Sequence, residues 1–142
     1  MSTVRETILA RLITQLAGTA NVGTRIYRSR VTPVSRSEGA VLIVEPTSDS
    51  CETRRNVYQW TLNVRLSVIV RGSSTQTADQ VADPIVKSIH DKISTDVTLN
   101  GKAIDTTPTN VSFDLIDGDQ PSGVISCDYR IIYQTSTSDL ST

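Results

Sequence analysis

His90 is the only histidine among 142 residues, and no second imidazole or cysteine stands at ligand spacing from it. Zinc needs three or four nitrogen, sulfur or carboxylate ligands drawn together. The two cysteines, Cys51 and Cys127, form no CxxC pair and are too few for a disulfide framework. Asp114, Asp117 and Asp119, with Gly118 between them, offer oxygen ligands and so invite calcium. They lack the remaining ligand positions and the terminal bidentate glutamate of an EF-hand loop, so the stretch reads as a solvated hairpin turn or an acidic contact surface. A Ser/His/Asp triad can assemble from distant positions, yet no G-x-S-x-G elbow precedes a helix here. Walker and dinucleotide glycine fingerprints are missing, and Gly72-Ser73-Ser74 lacks the spacing to cradle phosphate. The residues therefore point to no enzyme, no metal and no cofactor.

What remains is charge and its placement. The formal net charge is -1, which argues against a general polyanion binder. Along the chain, however, the signs separate. Residues 1–36 hold Arg5, Arg11, Arg25, Arg28, Arg30 and Arg36 against Glu6, a balance of +5. Residues 91–142 hold Lys92, Lys102 and Arg130 against eight aspartates, a balance of -5. Opposite signs on different surfaces would let copies pack head to tail; scattered charges on a solvated surface would need no partner. No stacking platform or major-groove reader accompanies the arginines, so specific nucleic-acid binding is not expected.

The elements that must position these charges are legible in the periodicity. The longest signal is residues 57–71, where Tyr58, Trp60, Leu62, Val64, Leu66, Val68 and Val70 alternate with Gln59, Thr61, Asn63, Arg65, Ser67 and Arg71. Alternation of this kind marks a half-buried strand. At about 3.3 Å per residue it would span roughly 50 Å, so part of it is expected to bend, bulge or project as an arm.

Ahead of it, Val4, Ile8, Leu9, Leu12, Ile13 and Leu16 recur at helical spacing, with Thr3 and Glu6 as a capping box and Gly18 as the stop. Residues 24–31 read as an edge strand whose arginines discourage unwanted pairing. The continuous run Ala40 to Val44 suits a strand covered on both faces. Residues 46–56, polar and rich in turn formers, read as a loop or hairpin tip.

Beyond the long strand, Ala78, Val81, Ala82, Ile85, Val86, Ile89 and Ile93 make the inner face of a helix over 76–94. Pro84 conflicts with that helix internally, and one kinked or irregular helix is preferred to a late start at Asp83. Asn100-Gly101 predicts a tight hairpin between 97–99 and 102–105. A final pair, 110–116 and 123–134, follows, with Val111, Phe113 and Leu115 forming one face of its first strand. Cys127, alternating with Ile125, Tyr129 and Ile131, reads as buried, and Cys51 as exposed. Residues 135–142 lack core-forming content and are expected to be a flexible polar tail.

The fold class is therefore α+β, a mixed and mainly antiparallel sheet packed against two helices, in a single domain over residues 1–134. Neither a secretory leader nor a stretch of about 18 apolar residues occurs, so no membrane association is expected.

The order and spacing of these elements resemble the tail terminator, or tail completion, proteins of long-tailed bacteriophages. The likeness is carried by the first helix, Arg25-Ile26-Tyr27-Arg28-Ser29-Arg30-Val31, the Ala40 to Val44 strand, the long strand to Arg71, the Ala78 to Ile93 helix and Tyr129-Arg130-Ile131-Ile132-Tyr133. It extends over residues 4–134 and implies a small subunit of the virion tail, assembled in the host cytoplasm. Such a subunit forms a ring, commonly a hexamer, that caps the head-proximal end of the tail tube, stops polymerisation and presents the head-attachment surface. Its implied partners are further copies, the tail tube protein and a head-completion or connector protein, with no cofactor. The family carries no catalytic motif to transfer. From charge, the expected interface residues are Arg25, Arg28, Arg30, Arg54 and Arg55, with Asp114, Asp117 and Asp119 as the acidic counterpart. The alternatives are another head-tail connector component, such as an adaptor, and a nucleic-acid-binding regulatory module.

Overall fold

The computed structural model describes residues 2–30, 39–73, 75–116 and 122–142. Helix α1 (Val4–Leu16) leads into β1 (Ile26–Arg28), β2 (Val41–Arg54) and β3 (Val57–Arg71). Helix α2 (Ala78–Ser94), β4 (Asp105–Ile116) and β5 (Ser122–Ser136) complete the order. The five strands make one sheet in the order β1-β2-β3-β5-β4. Among the described residues only β1 pairs parallel, and every other neighbour is antiparallel. This is the α+β arrangement expected, with both helices on one face.

The alternation in β3 decides which face that is. Leu62, Val64, Leu66, Val68 and Val70 are buried, and across the ladder Ile125, Cys127, Tyr129, Ile131 and Tyr133 of β5 are buried with them. Ile8, Leu9, Leu12 and Leu16 of α1, and Ala82, Ile85, Ile89 and Ile93 of α2, close the core from above. The opposite face carries Arg65, Ser67, Ser126 and Asp128, and no helix of the described residues covers it. Arg65 reaches Asp128 across the strands at 3.1 Å.

Local chemistry explains the helix ends. Thr3 Oγ1 accepts the Glu6 amide at 3.1 Å, which is half of the expected capping box. The Glu6 carboxylate does not return the bond, because it is taken by Arg28. At α2 the Thr77 amide donates to Gln80 Oε1 at 2.9 Å. Pro84 lies within a single helix, on its exposed side.

Two expectations are corrected. The polar stretch 46–56 is strand almost to its end: β2 continues to Arg54, and only Arg55 and Asn56 turn, with Arg55 at φ 50. Thr, Ser and Asp favour turns only where no partner strand competes, and β3 supplies partners from Asn63 down to Val57. The Asn100-Gly101 hairpin is likewise not a hairpin. Leu99, Asn100 and Gly101 all take positive φ, and the Asp96 carboxylate gathers the Thr98 and Asn100 amides, winding residues 97–102 into a compact turn. Burying Leu99 completely anchors that turn.

Strand limits also move. β1 is shorter than 24–31, and β4 begins at Asp105 rather than 110, with an irregularity at Pro108/Asn110. β5 includes Thr135 and Ser136, and Leu140 accepts the Val4 amide at 2.8 Å.

Candidate assembly interface

β4 is the outermost strand on one side of the sheet, and β1 on the other. By the usual strand spacing of about 4.8 Å they stand roughly 19 Å apart across the sheet. The charge separation along the sequence thus becomes a separation in space, with Arg25, Arg28 and Arg30 at the β1 margin and Asp105 and Asp114 on β4.

Several arginines have tasks within the chain. Arg25 Nε donates to the Ala40 carbonyl at 2.8 Å and its Nη2 to the Asn21 carbonyl at 2.6 Å, tying the approach of β1 to the start of β2. Gly39 packs beneath the same guanidinium at φ +73. Arg28 forks onto both oxygens of Glu6, its Nη2 lying 2.6 Å from Oε2. That hydrogen bond, with the charge attraction behind it, holds the Glu6 carboxyl below the usual range and raises Arg28 further. Arg30 lies over the Tyr27 ring, 4.5 Å from its centre. Arg54 reaches Glu52 at 2.9 Å on the exposed arm, and Arg55 occupies the turn beside it. Asp114 is exposed on β4. Arg36, Asp117 and Asp119 lie outside the described residues.

His90, exposed on α2, is engaged within the chain: its Nδ1 is 3.2 Å from the Tyr129 hydroxyl, and the two rings stack. Among the described residues no group of three or more His, Cys, Asp or Glu converges as a metal site would require. A second polar knot joins α1 to the β2–β3 arm. Asp49 Oδ2 accepts from Arg5 at 3.2 Å and from the Tyr133 hydroxyl. Burial raises the Tyr133 phenol, and the Asp49 carboxylate raises it further.

The feature that charge reasoning missed is apolar. Val111, Phe113 and Leu115 lie opposite Cys127, Ile125 and Gly123, so they belong to the helix-covered face. Yet they are exposed, because α2 lies mainly over β3 and β5 and meets the outer strand only near Leu115. Ile116, at the end of β4 opposite Ser122, and Ile104, just before the strand, are exposed as well. Gly123 fixes the geometry here. A Cβ on it would lie 3.0 Å from both Ala78 Cβ and Leu115 Cδ2, so only glycine lets α2 and β4 close this tightly over β5. Beside that contact a groove of about 210 Å³ opens among Thr77, Ala78, Asp79, Leu115 and Ile116. In sequence the β4 alternation looks like that of any core strand; only the reach of α2 tells them apart.

Comparison with known proteins adds the biological setting. The family described as Tail completion protein gp17 matches residues 6–134. No curated protein matches the chain. The matched span runs from the first turn of α1 nearly to the end of β5, so it takes in both margins of the sheet.

Proposed function

The chain belongs to the phage tail completion protein gp17 family, and from that premise we propose that it forms a ring, of six copies, capping the head-proximal end of the tail tube. The ring stops tube polymerisation by covering the surface on which the next tube subunit would seat. Its far side presents the surface to which the head-completion or connector protein attaches. The ring acts in the virion tail, where it is placed during assembly in the host cytoplasm.

The observation that carries this reading is the difference between the two margins of the sheet. A closed ring larger than a dimer is built from heterologous contacts, in which one patch of each copy meets a different patch of the next. β4 offers an apolar, acidic margin, and the β1–β2 side offers Arg25, Arg28, Arg30, Arg54 and Arg55. Complementary charge sets the orientation of such a contact more than its strength. Repetition around a ring supplies the hold on the tube, since contacts that are weak singly become strong when several are made at once.

Cosedimentation discriminates this role from a neighbouring one. Purified protein is expected to pellet with tail tubes and to stay in solution with portal-containing heads that lack the head-completion protein. Binding to heads and not to tubes would move the protein to the adaptor position and end the terminator reading.

A further inference from the structure

We infer that the apolar stripe on β4 seats the next copy of this chain, which lays its β1–β2 margin, with Arg54 and Arg55 at the hairpin tip, against the open β4 edge. The inference rests on the ring reading and names the surface by which the ring closes.

Exposed apolar side chains scattered singly over a protein need no explanation. Here they are not scattered. Of the six large hydrophobics exposed among the described residues, Val111, Phe113, Leu115 and Ile116 lie on β4, and Ile104 immediately precedes it. A patch of this kind on one edge marks a binding surface.

The backbone agrees with the side chains. β4 pairs with β5 on one side, and among the described residues no strand lies on the other. Proteins protect such edges with proline, bulges or lysine, since an open edge is a template for another chain. β4 uses two of these devices, Pro108 and the irregularity at Pro108/Asn110, and both guard its first half. From Val111 to Ile116 there is neither, and residues 103–129 contain no lysine or arginine at all. The protected half and the open half of one strand thus differ as a barrier differs from a socket. The groove beside Ala78 and Leu115 lies at the open half and is large enough for one inserted side chain.

Charge selects the occupant. Two β4 strands paired about a two-fold axis would bring the Asp114 carboxylates of the two copies toward each other, and like charges across a ladder repel. The opposite margin offers cationic partners at its hairpin tip, where Arg55 stands beside Arg54, whose own charge is shared with Glu52. Arg54 and Arg55 stand on exposed backbone there, and removing them disturbs no core packing. A standard interface buries about 800 Å² on each partner, so the stripe serves as its centre and strand-to-margin contact as the remainder.

Two variants test this together: Phe113→Ser/Leu115→Ser, which spoils the socket, and Arg54→Glu/Arg55→Glu, which spoils the mating margin. Both substitute exposed side chains, and circular dichroism should match the wild type. Assembly is read by light scattering on free protein and by electron microscopy on tail tubes. The wild type is expected to form closed oligomers in at least one setting, and each variant alone to stay monomeric in both. Mixed one to one, the variants retain one intact interface per pair and should give a dimer that grows no further. Loss of an apolar anchor at the centre of the contact should weaken association at least about tenfold.

If the socket variant assembles like the wild type, β4 is not the contact and the ring reading survives without it. Rings that form but no longer cap tubes would mean that the stripe seats the tube protein instead. A wild type that halts at a dimer would overturn the head-to-tail arrangement. Two monomeric variants that fail to pair would overturn the proposed mating of the margins. A wild type that stays monomeric both free and on tubes would remove the ring reading itself, and this inference with it.

Discussion

Phe113 and Ile125 face each other across β4 and β5, on the same side of the sheet, yet Ile125 is fully buried and Phe113 is 61% exposed. The boundary of the core runs between these two side chains. Ile125→Ala should therefore cost about 2–5 kcal/mol by leaving a cavity under α2. Phe113→Ala should change monomer stability by no more than about 0.5 kcal/mol. Denaturant melts of the unassembled chain compare them directly, and equal costs would place Phe113 inside the core.

Gly123 holds the groove edge closed, so Gly123→Ala should force Ala78 and Leu115 apart. Overpacking of this kind costs about 1–3 kcal/mol. Adding Ala78→Gly should recover part of the loss, because it removes one of the two atoms that the new methyl meets. Thermal melts of the two single variants and the double variant would read this out. Strict additivity would mean that the strain lies elsewhere.

Glu6 carries a pH dependence whose sign follows from its partner. Its carboxyl is held below the ordinary value mainly by the hydrogen bond from Arg28, against the opposing effect of burial. A depressed carboxylate contributes fully above its unfolded value, and the contribution fades as pH falls through the folded one. Glu6→Gln should therefore lower the melting temperature at pH 7 and make progressively less difference as pH falls below the ordinary carboxylate range. The pair is largely exposed, so the effect at neutral pH should stay below about 1 kcal/mol. An offset that persists unchanged in acid would exclude the ion pair as its source.

The two thiols should behave differently. Cys51 is exposed on the arm, whereas the Cys127 thiol is pushed up to about 11 by burial, with Asp128 beside it. Since the thiolate is the reactive form, a disulfide reagent at pH 8 should titrate one thiol per folded chain quickly and the second only on unfolding. Two equally fast thiols would show that β5 is not covered.

Much of this architecture was legible because strand and helix periods are local. The alternation over 57–71 marked β3, and the stripe from Ala78 to Ile93 marked α2 despite Pro84, which lies on the exposed side of the helix. The readings that failed depended on something distant. Residues 46–54 are polar in themselves and become strand only because β3 lies alongside. Asn100-Gly101 carries a hairpin signal that Asp96, four residues back from Asn100, redirects into a turn. The arginines could be read as a margin, but not that Glu6 and the Ala40 carbonyl would engage two of them. The β4 stripe escaped for the same reason, since exposure depends on where a helix ends and not on the strand's own residues.

The most direct measurement is negative-stain electron microscopy of tail tubes mixed with the purified chain, with attention to the tube ends. A ring-shaped cap confined to one end, with tubes that no longer lengthen when tube protein is added, is the predicted result. Bare ends and continued growth at saturating protein would contradict the proposed role.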